Sequence, residues 1–93
     1  MIPMEVRLEG AWSLSPSVAL RPEPFGALAY HFGNRKLTFL KTPALVRVVR
    51  GLAEGPDVRA ALHRAGVDEA EYAAYLAALQ GLAETDMITE RAA

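Results

Sequence analysis

Between residues 27 and 40 the chain carries two alternating runs, Ala27-Leu28-Ala29-Tyr30-His31-Phe32 and Arg35-Lys36-Leu37-Thr38-Phe39-Leu40, divided by Gly33-Asn34. Gly-Asn in that position predicts a two-residue hairpin turn, with the glycine supplying a positive φ at the first turn position. The turn sets the register. If Phe32 and Arg35 flank it, Tyr30 opposes Leu37 and Leu28 opposes Phe39, so four large apolar side chains share one face. His31 with Lys36, Ala29 with Thr38, and Ala27 with Leu40 take the other. A one-residue slip would scatter both sets. The large apolar set is the expected core face, which makes the Phe39 side chain a core residue.

Upstream, Ser17-Val18-Ala19-Leu20-Arg21 predicts a third short strand. It is ended by Pro22-Glu23-Pro24, an ordered connector not expected to continue a ladder. Met4-Glu5-Val6-Arg7-Leu8-Glu9 also alternates and predicts either an extra strand or a loose arm. Residues 1–11 are therefore set apart from a single domain over residues 12–93. After Lys41 the period turns helical. Thr42 is an N-cap, Pro43 suits the first helical position, and Leu45, Val48, Val49 and Leu52 form one stripe. Gly55-Pro56 stops that helix. Asp57 caps a second one, whose stripe is Val58, Ala61, Leu62 and Ala65, and Gly66 ends it. Asp68 with Glu71 resembles a capping box and opens a third helix over residues 68–83. Its stripe is Tyr72, Tyr75, Leu76, Leu79 and Leu82, widened by Ala73, Ala74, Ala77 and Ala78. Met87-Ile88 is a short apolar closing segment that can pack or add a strand. The expected fold class is α+β and winged-helix-like, a three-stranded antiparallel sheet followed by three helices.

Composition removes several kinds of chemistry. With no cysteine among 93 residues, disulfide scaffolds, thiolate zinc sites, iron–sulfur clusters and cysteine nucleophiles are excluded. The opening Met1-Ile2-Pro3-Met4-Glu5 has no signal-peptide character and no apolar run approaches a membrane span, so a soluble cytoplasmic protein is expected. His31 and His63 lack a metal-ligand spacing, and no Gly-Lys-Ser/Thr sequence offers a phosphate loop. Ser13, Ser15 and Ser17 have no base nearby in sequence. The chain thus predicts neither an active site nor a cofactor site.

The net charge of −1 hides an asymmetry. Residues 1–50 carry seven Lys/Arg against three Glu, and residues 51–93 carry three Arg against eight Asp/Glu. A winged-helix DNA-binding regulator is the alternative that the fold class raises, since such proteins place the third helix in the major groove. Here that helix holds no Lys or Arg and begins with three acidic residues, which would meet phosphates.

The strand over residues 36–40 offers a different use. It follows the turn, is flanked by Lys36 and Lys41, and lies at the expected sheet edge. Lysines there can be simple guards against self-association, and pairing of that edge with itself would give a homodimer. The functional alternative is strand addition, in which a peptide pairs with the edge and drops side chains into a groove walled by the third helix. Five or six ladder bonds contribute about 3–8 kcal/mol, whereas ordering each of six peptide residues costs about 1–2 kcal/mol. Two or three apolar anchors at about 1.5–3 kcal/mol each are needed, and Tyr72, Tyr75, Leu76 and Leu79 are the candidate pocket.

The run Ser17-Val18-Ala19-Leu20-Arg21-Pro22-Glu23-Pro24-Phe25-Gly26-Ala27-Leu28-Ala29-Tyr30-His31-Phe32-Gly33 resembles the signature stretch of the mycofactocin-biosynthesis peptide chaperones. Trp12-Ser13-Leu14-Ser15-Pro16 before it, Leu37-Thr38-Phe39-Leu40-Lys41 after it, and the helix of Tyr75, Leu76 and Leu79 fit as well. More broadly, residues 12–88 are similar to the small peptide-recognition domains of pyrroloquinoline-quinone biosynthesis. The resemblance implies a non-catalytic protein that binds a short ribosomally made precursor peptide. It would present that peptide to a radical S-adenosylmethionine maturase, which modifies a C-terminal Val-Tyr. It further implies that the peptide pairs with Lys36, Leu37, Thr38, Phe39 and Leu40 and lies against Tyr72, Tyr75, Leu76 and Leu79; the acidic third helix and the lack of a long apolar run predict no nucleic-acid or membrane partner. Arg35, Lys36 and Lys41 would then steer an acidic leader toward the edge.

Overall fold

A computed structural model describes residues 5–91. The strands are β1 (Trp12–Leu14), β2 (Val18–Glu23), β3 (Gly26–His31), β4 (Leu37–Leu40) and β5 (Ile88–Glu90), and the helices are α1 (Pro43–Gly51), α2 (Val58–Arg64) and α3 (Tyr72–Glu84). β2, β3 and β4 form an antiparallel sheet in that order, followed by the three helices, so the α+β expectation with a three-stranded sheet holds. β1 and β5 add a two-stranded antiparallel ribbon that pairs Trp12 with Glu90 and Leu14 with Ile88. The closing segment therefore does supply a strand.

The β3–β4 register is the expected one, with Tyr30 opposite Leu37, Leu28 opposite Phe39, Ala29 opposite Thr38 and Ala27 opposite Leu40. Three details around it differ from expectation. First, the turn is longer than two residues. The Arg35 N–H donates to the His31 carbonyl at 2.8 Å, and Arg35, not Gly33, takes the positive φ of 62°. His31 Nδ1 accepts the N–H groups of Gly33 and Asn34, and the Asn34 amide donates to the Thr85 carbonyl at 3.0 Å, which ties the tip to the end of α3.

Second, Pro22 lies within β2 instead of ending it. The Phe32 N–H donates to the Ser17 carbonyl at 2.8 Å. Alternation along the ladder then turns the nitrogen of residue 22 away from β3, onto the outer edge, where a missing donor costs nothing. Third, the sheet faces the other way. Ala27, Ala29 and Leu40 are about 1% exposed, while Leu37 and Phe39 are each 58% exposed. α1 packs across β3, and a helix lying that close leaves room for alanines. The large side chains are left on the outer face.

The helices follow their sequence signals. The Leu45 N–H donates to Thr42 Oγ1 at 3.1 Å, and the Ala60 N–H donates to Asp57 Oδ1 at 2.9 Å. Val48, Val49, Leu52, Val58, Ala61, Leu62, Leu79 and Leu82 are buried in one core together with Trp12, Met87 and Ile88. Asp68, by contrast, makes no side-chain cap. A 3-10 turn over Glu69–Glu71 intervenes, and α3 proper starts at Tyr72. Arg91 donates to the Leu52 and Gly55 carbonyls at 3.3 and 2.8 Å, closing the end of α1 with a cation.

The leading segment forms no strand over its described part. The Val58 and Arg59 N–H groups donate to the Gly10 and Leu8 carbonyls, Val6 is buried, and the Val6 N–H donates to Gln80 Oε1 at 2.8 Å. It is thus an arm laid against the N-terminus of α2 and the side of α3. Met4 and the residues before it lie outside the described part.

Candidate functional site

β4 pairs with β3 on one side, and among the described residues no strand lies on its other side. Which main-chain groups face that open side follows from the ladder. The His31 N–H donates to the Lys36 carbonyl at 3.0 Å, so residues 31/36, 29/38 and 27/40 are the hydrogen-bonded pairs and 30/37 and 28/39 the non-bonded ones. The N–H and C=O groups of Leu37 and Phe39 therefore point to the open edge, and those of Thr38 and Leu40 point into the sheet. Lys36 precedes the strand proper, and its carbonyl belongs to the ladder.

Beside that edge runs a groove of about 450 Å³, lined by Thr38, Phe39, Leu40, Lys41, Leu45, Ala78, Gly81 and Leu82. β4 forms one wall, the second half of α3 the other, and Leu45 in the first turn of α1 lies at its end. The lining is almost wholly apolar, with Lys41 its one charged residue. A strand added along β4 would put alternate side chains into this groove and the others beside Leu37 and Phe39 on the outer face.

Of the strand residues singled out from sequence, Thr38, Phe39 and Leu40 line the groove and Leu37 turns its main chain to the open edge, while Lys36 does neither; the helical ones are distributed differently. Tyr72 and Leu79 are buried in the core, and Tyr75 and Leu76 are half-buried and packed against it. The groove wall on α3 is made instead by Ala78, Gly81 and Leu82. Tyr75 stands three residues before Ala78, about one turn along on the same side of the helix. Sequence held one signal for this wall, a glycine at position 81 in the last turn of an Ala/Leu-rich helix, where alanine would serve the helix better.

The histidines do not converge on chemistry. His31 is engaged in the hairpin turn, and His63 is exposed on α2. Among the described residues no three His, Cys, Asp or Glu side chains gather in a way that could hold a metal ion, and no helix is long and apolar enough to cross a membrane. A second, smaller pocket of about 250 Å³ lies between α1 and α2, lined by Arg47, Arg50, Glu54 and Arg64 among others. Its arginines are partly engaged. Arg64 pairs with Glu54 at 3.2 Å, and Arg47 donates to the Ala65 carbonyl at 3.3 Å.

The chain is 56% identical over 82 residues to the peptide chaperone MftB of Mycobacterium ulcerans, covering 88% of this chain and 75% of that protein. It is 54% identical over 80 residues to the peptide chaperone MftB of Mycobacterium tuberculosis, covering 86% and 73%. It is also 54% identical over 78 residues to that of Mycolicibacterium smegmatis, covering 84% and 76%. No solved structure matches it significantly. The model of the peptide chaperone MftB family matches residues 11–89, and the chain belongs to that family.

Proposed function

We propose that this chain is a non-catalytic peptide chaperone of mycofactocin biosynthesis. It takes a short ribosomally made precursor peptide as an added strand on β4 and presents it to a radical S-adenosylmethionine maturase. The observation that carries this is the open edge of β4 beside an apolar groove, in a chain whose relatives are named as peptide chaperones. Ladder bonds alone do not cover the cost of ordering a free peptide. Apolar anchors supply what they lack, with guest side chains leaving water in the groove against Leu40, Leu45 and Leu82 and others beside Leu37 and Phe39 making up the two or three that are needed. The chaperone contributes proximity. A peptide held on a protein that also contacts the enzyme meets it at an effective concentration in about the millimolar range. The electrostatics of α3 disfavour the DNA-binding alternative, because Tyr72–Glu84 contains no Lys or Arg and Asp68, Glu69 and Glu71 precede it.

The test separates two neighbouring amides. Labelled precursor peptide is titrated against wild type, Phe39→Pro, Phe39→Ala and Arg59→Ala, with folding followed by circular dichroism. Phe39→Pro removes a donor that faces the open edge and should weaken binding well beyond Phe39→Ala. Arg59, paired with Glu9 at 2.9 Å beside the arm, should matter little. Leu40→Pro is no equivalent, because its N–H belongs to the β3 ladder and its side chain is buried, so that variant should lose the fold. Equal affinity of Phe39→Pro and Phe39→Ala would refute strand addition.

A further inference from the structure

The outer face of the β2–β3–β4 sheet carries the large exposed apolar side chains among the described residues, Phe25 (42%), Phe32 (61%), Leu37 (58%) and Phe39 (58%). They form one surface. The strand pairings set Tyr30 beside Leu37 and Leu28 beside Phe39. Phe25 in the β2–β3 turn packs edge-on against Phe39 at 5.7 Å between ring centroids, and Phe32 packs edge-on against Tyr30 at 5.2 Å. Four large apolar side chains exposed together on one face, with aromatic rings in contact, make a contiguous surface of the kind that serves as an interaction site. Only Phe39 borders both this face and the groove.

The shape and the rim say what fits. No main-chain donors or acceptors point out of a sheet face, so an extended peptide would find no ladder here, whereas a folded surface would find flat aromatic area. Arg21 lies on this face opposite Leu28, Arg35 stands in the hairpin tip after Phe32, and Lys41 borders the groove beside Phe39; Glu23, the one acid in residues 17–42, lies 3.7 Å from Arg21. A second copy packed face to face would set these cations against themselves. We propose that this face docks a second, folded protein whose contact surface is apolar and ringed by carboxylates. The chain would then hold a peptide along β4 and the recipient of that peptide at the same time. The inference rests on the peptide-chaperone reading of the groove and deepens it by assigning the recipient its own surface.

The test measures the binding of the maturase and of the precursor peptide separately, on wild type, Phe32→Asp, Arg21→Glu and Gly81→Leu. Phe32→Asp should weaken maturase binding at least about tenfold. Arg21→Glu should weaken it about threefold and flatten its salt dependence. Both should keep peptide affinity within about twofold, while Gly81→Leu does the reverse. Retention of maturase affinity by Phe32→Asp, or failure of wild type to bind the maturase, overturns the assignment. So does a concentration-dependent dimer of wild type that Phe32→Asp dissolves. Failure of wild type to bind the peptide, with maturase binding still lost in Phe32→Asp, sinks the groove reading and leaves the docking face standing.

Discussion

Gly81 sits in the last turn of α3, three residues before its end, is exposed, and borders the groove. A Cβ built there meets nothing within 4 Å, so packing does not explain the glycine. Its cost to the helix is about 0.5–1 kcal/mol relative to alanine. Replacing it should therefore stabilise the protein. For a domain of this size about 1 kcal/mol moves Tm by about 4–8 °C, so Gly81→Ala should raise Tm by about 2–8 °C. Gly81→Leu keeps the helical gain but sends a branched side chain into the groove, taking the room of one peptide anchor. An anchor is worth about 1.5–3 kcal/mol, so peptide affinity should fall about 10- to 150-fold. Stability and binding are thus expected to move in opposite directions on one substitution. Thermal unfolding by circular dichroism and fluorescence polarisation with labelled precursor peptide measure the two. A fall in Tm for Gly81→Ala would mean that the helix is already packed at that point. Wild-type peptide affinity in Gly81→Leu would mean that the groove is not where the peptide lies.

Asp57→Ala removes the acceptor of the Ala60 N–H. It should cost about 0.5–2 kcal/mol, read as a lower Tm, with peptide affinity unchanged because the cap lies beside the N-terminal arm. A Cβ on residue 26 would run into the Leu40 carbonyl and the backbone of Thr42, neither of which can rotate away. Gly26→Ala should therefore shift the end of β4, lose about 1–3 kcal/mol in urea unfolding and weaken peptide binding with it. An unchanged urea midpoint would mean that the junction of β4 and α1 yields freely.

What sequence discloses about this fold is what short-range physics writes into it. The caps at Thr42 and Asp57 and the stripes of α1 and α2 depend on neighbours within about two helical turns, and the hairpin register depends on one turn. The β1–β5 ribbon joins Trp12 to Glu90 across the whole chain, so Met87-Ile88 alone left packing and pairing equally open. Turn chemistry at Gly33 predicts a two-residue loop, whereas the longer tip is held by His31 Nδ1 and by the Asn34 amide on the Thr85 carbonyl, a partner 51 residues away. Pro22 misled for a similar reason. Proline is barred from a central strand but harmless where its nitrogen faces the rim, and which of the two applied depended on the spatial order of the sheet.

The inversion of the sheet has a more general cause. A period of two assigns residues to two faces but carries no sign, so something else must say which face is inside. Size ordinarily decides, on the premise that large apolar side chains seek the core. That premise fails where a close helix leaves room only for small side chains on the inner face. Here α1 lies so near β3 that the inner row is Ala27 and Ala29, and the large row of Leu28, Tyr30, Leu37 and Phe39 faces outward. Small residues at positions 27 and 29, next to a strand of full-sized ones, were therefore the sign that a helix lies close on that side. The same logic applies to Gly81, where a small residue on α3 keeps space open beside β4. In both places the side chain that is missing is more informative than those that are present. A small residue inside an otherwise well-filled element marks either a close neighbour or a space held for one, and whether a Cβ there would meet anything decides between them.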